Sequence, residues 1–392
     1  MYLNRSIVPT MRTPELELLL ACASAQDGAL CAGGWFAQRV DWDRFFEEAE
    51  RHSVMPLVHR ALAEHPEVPA GVRERLEKHF HESTRRSLFL TAELLRLLDA
   101  FAAGDVPVLP YKGPVLAQAL YGDVALRNFT DLDFLVRRAD VLRAAELLER
   151  AGYSPDPRVD SARLSSHLAF ACEQMFRRTA GAGLVEIQWR IAPRYFSVEF
   201  DTEWLFRTAV AASLESRQVQ SLSPEALLLM LSVHGAKHEW ERLGWIADIA
   251  QLLRTYPRLD WDAIFQMARG LGIERLTLLA LALAQDLLGV RLAATVGQQV
   301  SADRELPLLC RTVERRLAVE ARGVPEVSGH WFTLRARERW RDRLRYVMLL
   351  ALTPSPRDWA LLPLPRGLSP LYFALRPLRL AGRACRGIWR RT

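Results

Sequence analysis

The stretch R-N-F-T-D-L-D-F-L-V, residues 127–136, decides how the rest of the chain is read. It sets Asp131 and Asp133 two positions apart and follows them at once with Phe134, Leu135 and Val136. The apolar run predicts a strand over 131–136. Aspartate is depleted in strands and costly to bury without a partner, so an ordinary buried strand would not choose it twice. Period-two geometry puts both carboxylates side by side on one face. Adjacent like charges repel unless a cation sits between them.

Upstream, Val106 to Tyr111 is a strand candidate in which Pro110 points to an edge or an irregular end. Lys112-Gly113-Pro114 follows and leads into a helix over Val115 to Tyr121. Downstream, Ala139 to Ala151 forms an amphipathic helix that Gly152 stops. Residues 184–191, L-V-E-I-Q-W-R-I, alternate: Glu186, Gln188 and Arg190 face one way, and Val185, Ile187, Trp189 and Ile191 the other.

These elements make 105–222 a small α/β core. Helical patterns surround it. Thr13 caps a helix that opens at Pro14, another covers Trp42 to His52, and a third runs from Val72 to Phe101 and closes at Gly104. Helices resume at Pro224 behind the cap residue Ser223. The expected fold class is α+β, a small mixed sheet with helical flanks. Four segments divide it: a helical N-terminal region (1–104), the α/β core (105–222), a helical C-terminal domain (223–352) and a Pro/Arg-rich basic tail (353–392).

Composition bounds the partners. Half of the 392 residues are hydrophobic and a quarter charged, as in a globular protein. The five cysteines are scattered without metal-type spacing, which predicts reduced thiols in a cytoplasm and no zinc site. The N-terminal residues lack the apolar core of a signal peptide, and no run reaches membrane-span length. Fourteen arginines stand against three acids from Trp331 to Thr392, which more than accounts for the net charge of +6. The rest of the chain is net acidic, so no specific nucleic-acid partner is predicted. Within 377–391, Arg379, Arg383, Arg386 and Arg390 run beside Leu378, Ala381, Cys385, Ile388 and Trp389. That pattern predicts a basic amphipathic helix, either packed on the body or contacting an anionic membrane, peripherally, or an acidic partner.

The carboxylates carry the chemistry. Asp131, Asp133 and Glu186, side by side in one sheet, suit one or two Mg²⁺ or Mn²⁺ ions, which prefer carboxylate oxygens. Such ions bridge the phosphates of an NTP, and Glu186 is placed to take a proton from an attacking hydroxyl. The bland alternative is a surface strand, since D-x-D is common by chance. Gly113 at a strand-to-helix junction allows close backbone approach, and the helix N-terminus after it favours an anion. Lys112 and Arg127 add cationic groups for phosphate oxygens. His234 and His238 share a helical face, but Gly235 stands where a zincin needs Glu. The pair is expected to pack beside Trp240 or to touch substrate. Asp248 is expected to cap or pair within the helical domain. No G-x-S-x-G elbow is present, so a serine hydrolase finds no support.

The ordered set Lys112-Gly113, Tyr121-Gly122, Arg127, Asp131/Asp133 and Gly152-Tyr153 resembles an uncharacterised bacterial nucleotidyltransferase-like family of the polymerase-β-type superfamily. The likeness extends to M-P-L-V-H-R-A-L (55–62) and to H-G-A-K-H-E-W…D-I-A-Q-L-L (234–253), and so spans roughly 14–255. It implies a minimal nucleotidyltransferase palm that moves a nucleoside monophosphate from an NTP to an acceptor, releasing pyrophosphate. The acceptor, whether small molecule, glycan, peptide or protein, is left open. The chain departs from the superfamily pattern twice: Gly113-Pro114 replaces a Gly-Ser pair nearer the aspartates, and Gln188 stands where a His often follows the third acid. The rival expectation is therefore a non-catalytic nucleotide- or partner-binding accessory protein.

Overall fold

The computed structural model describes residues 12–26, 40–157, 167–169, 171–179, 183–318 and 326–353, with a few more between 371 and 379. The Arg-rich stretch 377–391 lies almost wholly outside the described residues, as do Cys31, Cys385 and residues 1–11. Among the described residues no helix is long and apolar enough to cross a membrane.

Four helices come first: α1 (Pro14–Ser24), α2 (Trp42–Arg51), α3 (Met55–Leu62) and the long α4 (Ala70–Ala103). The Thr13 hydroxyl accepts from the Leu16 amide, which caps α1 as the sequence predicts. The core follows as β1 (Val108–Pro110), α5 (Gly113–Tyr121), β2 (Leu132–Val136), α6 (Val141–Arg150), β3 (Tyr153–Pro155), β4 (Glu173–Arg178) and β5 (Leu184–Gln188). Helix α7 (Thr202–Arg207) and the hairpin β6 (Val210–Leu214) with β7 (Arg217–Ser221) lead out of it. The remaining helices are α8 (Pro224–Lys237), α9 (Leu243–Thr255), α10 (Trp261–Leu271), α11 (Glu274–Leu288), α12 (Ala294–Ala302), α13 (Leu306–Ala318), α14 (Glu326–Ala336) and α15 (Trp340–Leu352).

The five-stranded sheet runs β1-β2-β5-β4-β3, so the fold is α+β with a mixed sheet. Only β2 and β5 are parallel neighbours; the other pairs are antiparallel. The proline-ended β1 takes an edge, where a residue without an N–H is tolerated. Every residue of β2 is buried, because both faces of the sheet are covered. Leu132, Phe134 and Val136 join Val185, Ile187 and Trp189 in a core with α4 and α6, where Phe134 meets Phe101 edge-on at 5.1 Å. Leu135, on the opposite face, belongs to a second and larger core.

That second core joins both ends of the chain. Leu16 of α1, Phe45 of α2 and Val58 of α3 share it with Leu228 of α8, Ile246 of α9 and Leu279 of α11. The helices before residue 105 and after residue 222 thus build a common helical body. The alternation of β2 sets Asp133 on the same face as Leu135, toward that body.

Among the boundaries that differ from expectation, three bear on the site. Helix α5 begins at Gly113, two residues early, with Pro114 in its first turn. Strand β2 starts after Asp131, which sits in the turn that enters it. Strand β5 ends at Gln188, so the alternation fails beyond it: Ile191 packs against the helical body, and Arg190 pairs with Glu199 at 3.4 Å.

Candidate active site

A cavity of about 320 Å³ opens between the β2/β5 pair and the helical body. Parallel pairing sets Asp133 directly opposite Glu186, as two strands that run the same way must when their registers match. Asp131, Asp133 and Glu186 all line the cavity, together with Lys112, Gly113 and Arg127. The tertiary structure thus brings all six sequence-predicted site residues to one place.

Lys112 and Gly113 arrive there through the β1–α5 turn. Gly113 adopts φ +55°, and a Cβ on it would stand 3.4 Å from the Asp131 carbonyl oxygen. Glycine is what this close approach and this dihedral favour. The Lys112 side chain does not cap α5; its Nζ donates to Asp133 Oδ1 at 2.9 Å. Gln188 Nε2 donates to the same oxygen at 2.9 Å and to Glu186 Oε2 at 3.0 Å. Tyr111 in turn donates its hydroxyl to Gln188 Oε1. Gln188, read in the sequence as a neighbour of Glu186 on one strand face and as a departure from the superfamily pattern, is the link that ties the acids together. Only the cross-strand register reveals that role.

Burial leads the electrostatics, and crowding of the acids adds to it. Burial, then the Asp133 charge, pushes the Asp131 carboxyl up to about 6. Burial raises Glu186 to about 7, with repulsion from Asp133, Glu173 and Asp131 adding to it. Burial works against the Lys112 ammonium, yet the adjacent Asp133 holds its pKa above the usual lysine value. Burial is the larger cause in both, and each carboxylate is also raised by its acidic neighbours, a repulsion that a hard divalent cation would relieve. The oxygen donors therefore suit Mg²⁺ or Mn²⁺. Among the described residues, no three His, Cys, Asp or Glu side chains are already gathered as a metal cage.

The opposite wall belongs to α8 and α9. Arg127 makes a bidentate pair with Asp248 of α9, with Nε 3.0 Å from Oδ1 and Nη2 2.9 Å from Oδ2. Tyr121 also donates to Asp248 Oδ1, at 2.9 Å. Asp248 therefore pairs across to the α/β core and not within the helical domain, contrary to expectation. A buried acid inside the apolar run I-A-D-I-A was the available signal. Its partner was not visible from sequence because the two lie 121 residues apart.

His234 and His238 have ring centroids 4.9 Å apart, and both pack on Trp245, at 5.3 and 5.1 Å. Trp240, the neighbour the sequence suggested, covers the adjacent Gly235, whose Cβ would clash with the indole at 2.5 Å. Burial, with Lys112 and the neighbouring cations, depresses both imidazoles, His238 to about 3, so both are neutral at pH 7. They line the cavity beside Lys237 and Arg242.

A family model described as an uncharacterised nucleotidyltransferase matches residues 38–289. The chain belongs to this nucleotidyltransferase family. The match covers the sheet, the acids and the α8–α9 wall, so the cavity lies wholly inside the family region. Nucleotidyl transfer is the general activity that the family's name assigns. No curated protein and no solved structure matches the chain.

Proposed function

We propose that the protein transfers a nucleoside monophosphate from an NTP, taken with Mg²⁺ or Mn²⁺, to a hydroxyl or phosphate acceptor, with release of pyrophosphate. The observation that carries this is the convergence of Asp131, Asp133 and Glu186 on one cavity with Lys112, Gly113 and the N-terminus of α5.

Amides at the start of α5 attract the triphosphate, since the first N–H groups of a helix lack internal acceptors. Gly113 removes the side chain that would keep phosphate from the backbone. Asp131, Asp133 and Glu186 would hold the divalent ion, which supplies Lewis-acid charge to the phosphate oxygens when bound. Lys112 and Gln188 fix the Asp133 carboxylate, so its oxygens need not reorganise as substrate enters. Glu186, facing the same cavity, is the acid put forward to accept the proton of the acceptor hydroxyl. The acceptor oxygen then bonds to the α-phosphorus while the bond to pyrophosphate breaks. Neutral His234 and His238, with Trp245, face the cavity from the helical side and are placed to receive either base or acceptor.

The pairing of Arg127 with Asp248 is the observation that favours a second reading, a nucleotide-binding protein without turnover. One experiment separates them. The protein is offered the four NTPs, Mg²⁺ and a cell extract, and pyrophosphate release and product masses are followed beside Asp131→Asn/Asp133→Asn. Release that needs both aspartates supports transfer. NTP binding without release supports the accessory protein, and NTP affinity unchanged in the double variant sinks the assignment of the acids.

A further inference from the structure

We propose that α15 is a docking face for an anionic lipid surface, on which the protein rests without crossing the bilayer. The proposal is independent of nucleotidyl transfer and uses none of the residues that line its cavity.

The exposed apolar side chains are not scattered. Among the described residues twelve large hydrophobic side chains are exposed, and five of them fall within the 13 residues of α15. They are Trp340, Leu344, Val347, Met348 and Leu352, with Trp340 71 % exposed and the others 44–49 %. Three- and four-residue spacing gathers them on one side of the helix. A single exposed leucine is ordinary, whereas a stripe of this length marks a surface that something covers.

The opposite side of α15 is anchored on the body. Tyr346 is buried, with its hydroxyl 2.8 Å from His330 Nδ1 and its ring centroid 6.4 Å from those of Tyr195 and Phe196. Arg376 donates its Nε to the Leu350 carbonyl at 2.8 Å, so chain beyond the helix also returns to it. These contacts fix which side of α15 points outward.

Charge selects the occupant. Arg341 and Arg345 are exposed and stand one turn apart at the border of the stripe. Residues 335–345 hold six arginines against two acids, and residues 378–392 five against none. Seating a second copy's α15 on this face, or the chain's own 378–392, would bring like charges together. An anionic bilayer does the reverse. Its headgroups pair with the guanidinium groups while the acyl boundary takes up the apolar stripe. Tryptophan suits the headgroup level, and Trp331 of α14, 64 % exposed, adds a second indole to Trp340. Among the described residues no helix is long and apolar enough to cross a membrane, so the contact is made with one leaflet.

Flotation of the full chain with lipid vesicles tests this. Mixed phosphatidylglycerol–phosphatidylcholine vesicles should carry the protein at low salt, pure phosphatidylcholine vesicles should not, and added salt should weaken the binding. Leu344→Glu/Met348→Glu should lose affinity by about tenfold or more with an unchanged melting temperature, since the substituted side chains are already in water. Arg341→Gln/Arg345→Gln should bind more weakly and with a shallower dependence on salt. No flotation with the anionic vesicles overturns the proposal. So does undiminished flotation of a folded Leu344→Glu/Met348→Glu, which would move the contact to another part of the chain. Dimers that this variant splits into monomers, without flotation of the wild type, would assign the face to a second copy instead. A Leu344→Glu/Met348→Glu chain that fails to fold would show the face to be covered by the chain itself, which overturns the proposal as well.

Discussion

At the scale of single residues, the crowded acids make the cation-free protein pay for its site. Glu186 has a folded-state pKa of about 7, above the ordinary carboxylate value. Below the unfolded pKa both states are protonated and the group costs nothing. As pH rises toward 7 the unfolded chain releases its proton first, so stability falls and the full cost is present above the folded pKa. Glu186→Gln should therefore stabilise the protein in EDTA by about 3 kcal/mol at pH 8 and by little at pH 4. Urea melts at both pH values measure this, and an equal effect at both would reject the raised pKa. Asp248 works in the other sense. Its carboxylate is 3 % exposed and holds both Arg127 and Tyr121, so Asp248→Ala leaves a buried guanidinium unpaired. A loss of about 3–5 kcal/mol is expected. A double-mutant cycle with Arg127→Ala should show strong coupling; additive losses would mean that the clasp contributes nothing beyond packing.

At the scale of elements, the β1–α5 turn and the β2/β5 pair place the chemistry. Gly113→Ala must hold φ +55° with a Cβ, at a cost of roughly 1–2 kcal/mol, and sets that Cβ 3.4 Å from the Asp131 carbonyl. The variant should stay folded but lose NTP affinity by tenfold or more in calorimetry, since the lost feature is backbone access to phosphate. Unchanged affinity would move the triphosphate away from this turn. Much at this scale was open to the sequence. Thr13 and Ser223 cap the helices they precede, because a cap depends on residues three apart and on nothing farther. The paired acids and Lys112-Gly113 were likewise visible as local pattern. Beyond Gln188 the alternation misled, since Ile191 answers to the helical body and not to the sheet.

At the scale of the whole molecule, the segment boundary near residue 105 is not a boundary of packing. Leu16, Phe45 and Val58 lie at 0–2 % exposure in the same core as Leu279 and Ile246. A chain beginning at residue 105 would expose that apolar surface and should aggregate or fail to melt cooperatively. A soluble, cooperatively folding fragment over 105–352 would show that the helical body does not need its N-terminal members. The same body supplies Asp248, His234, His238 and Trp245 to the cavity, so loss of α1–α3 should also weaken nucleotide binding through α9.

The sequence by itself determined the elements with short-range causes: the capped helices, the apolar faces, the acid pair, and the glycine turn behind Lys112. It also carried the ordered motif that marks the family, because that motif is a matter of residue type and spacing. Only the tertiary structure decided what those residues touch. Lys112 could have faced phosphate, but the antiparallel β1/β2 pairing brings it to Asp133; Arg127 could have faced phosphate, but α9 brings Asp248 to it. Asp133 and Gln188 are 55 residues apart and Arg127 and Asp248 are 121 apart. Contacts at such separations form only when packing of two cores fixes where the chain returns, and no local propensity encodes that distance.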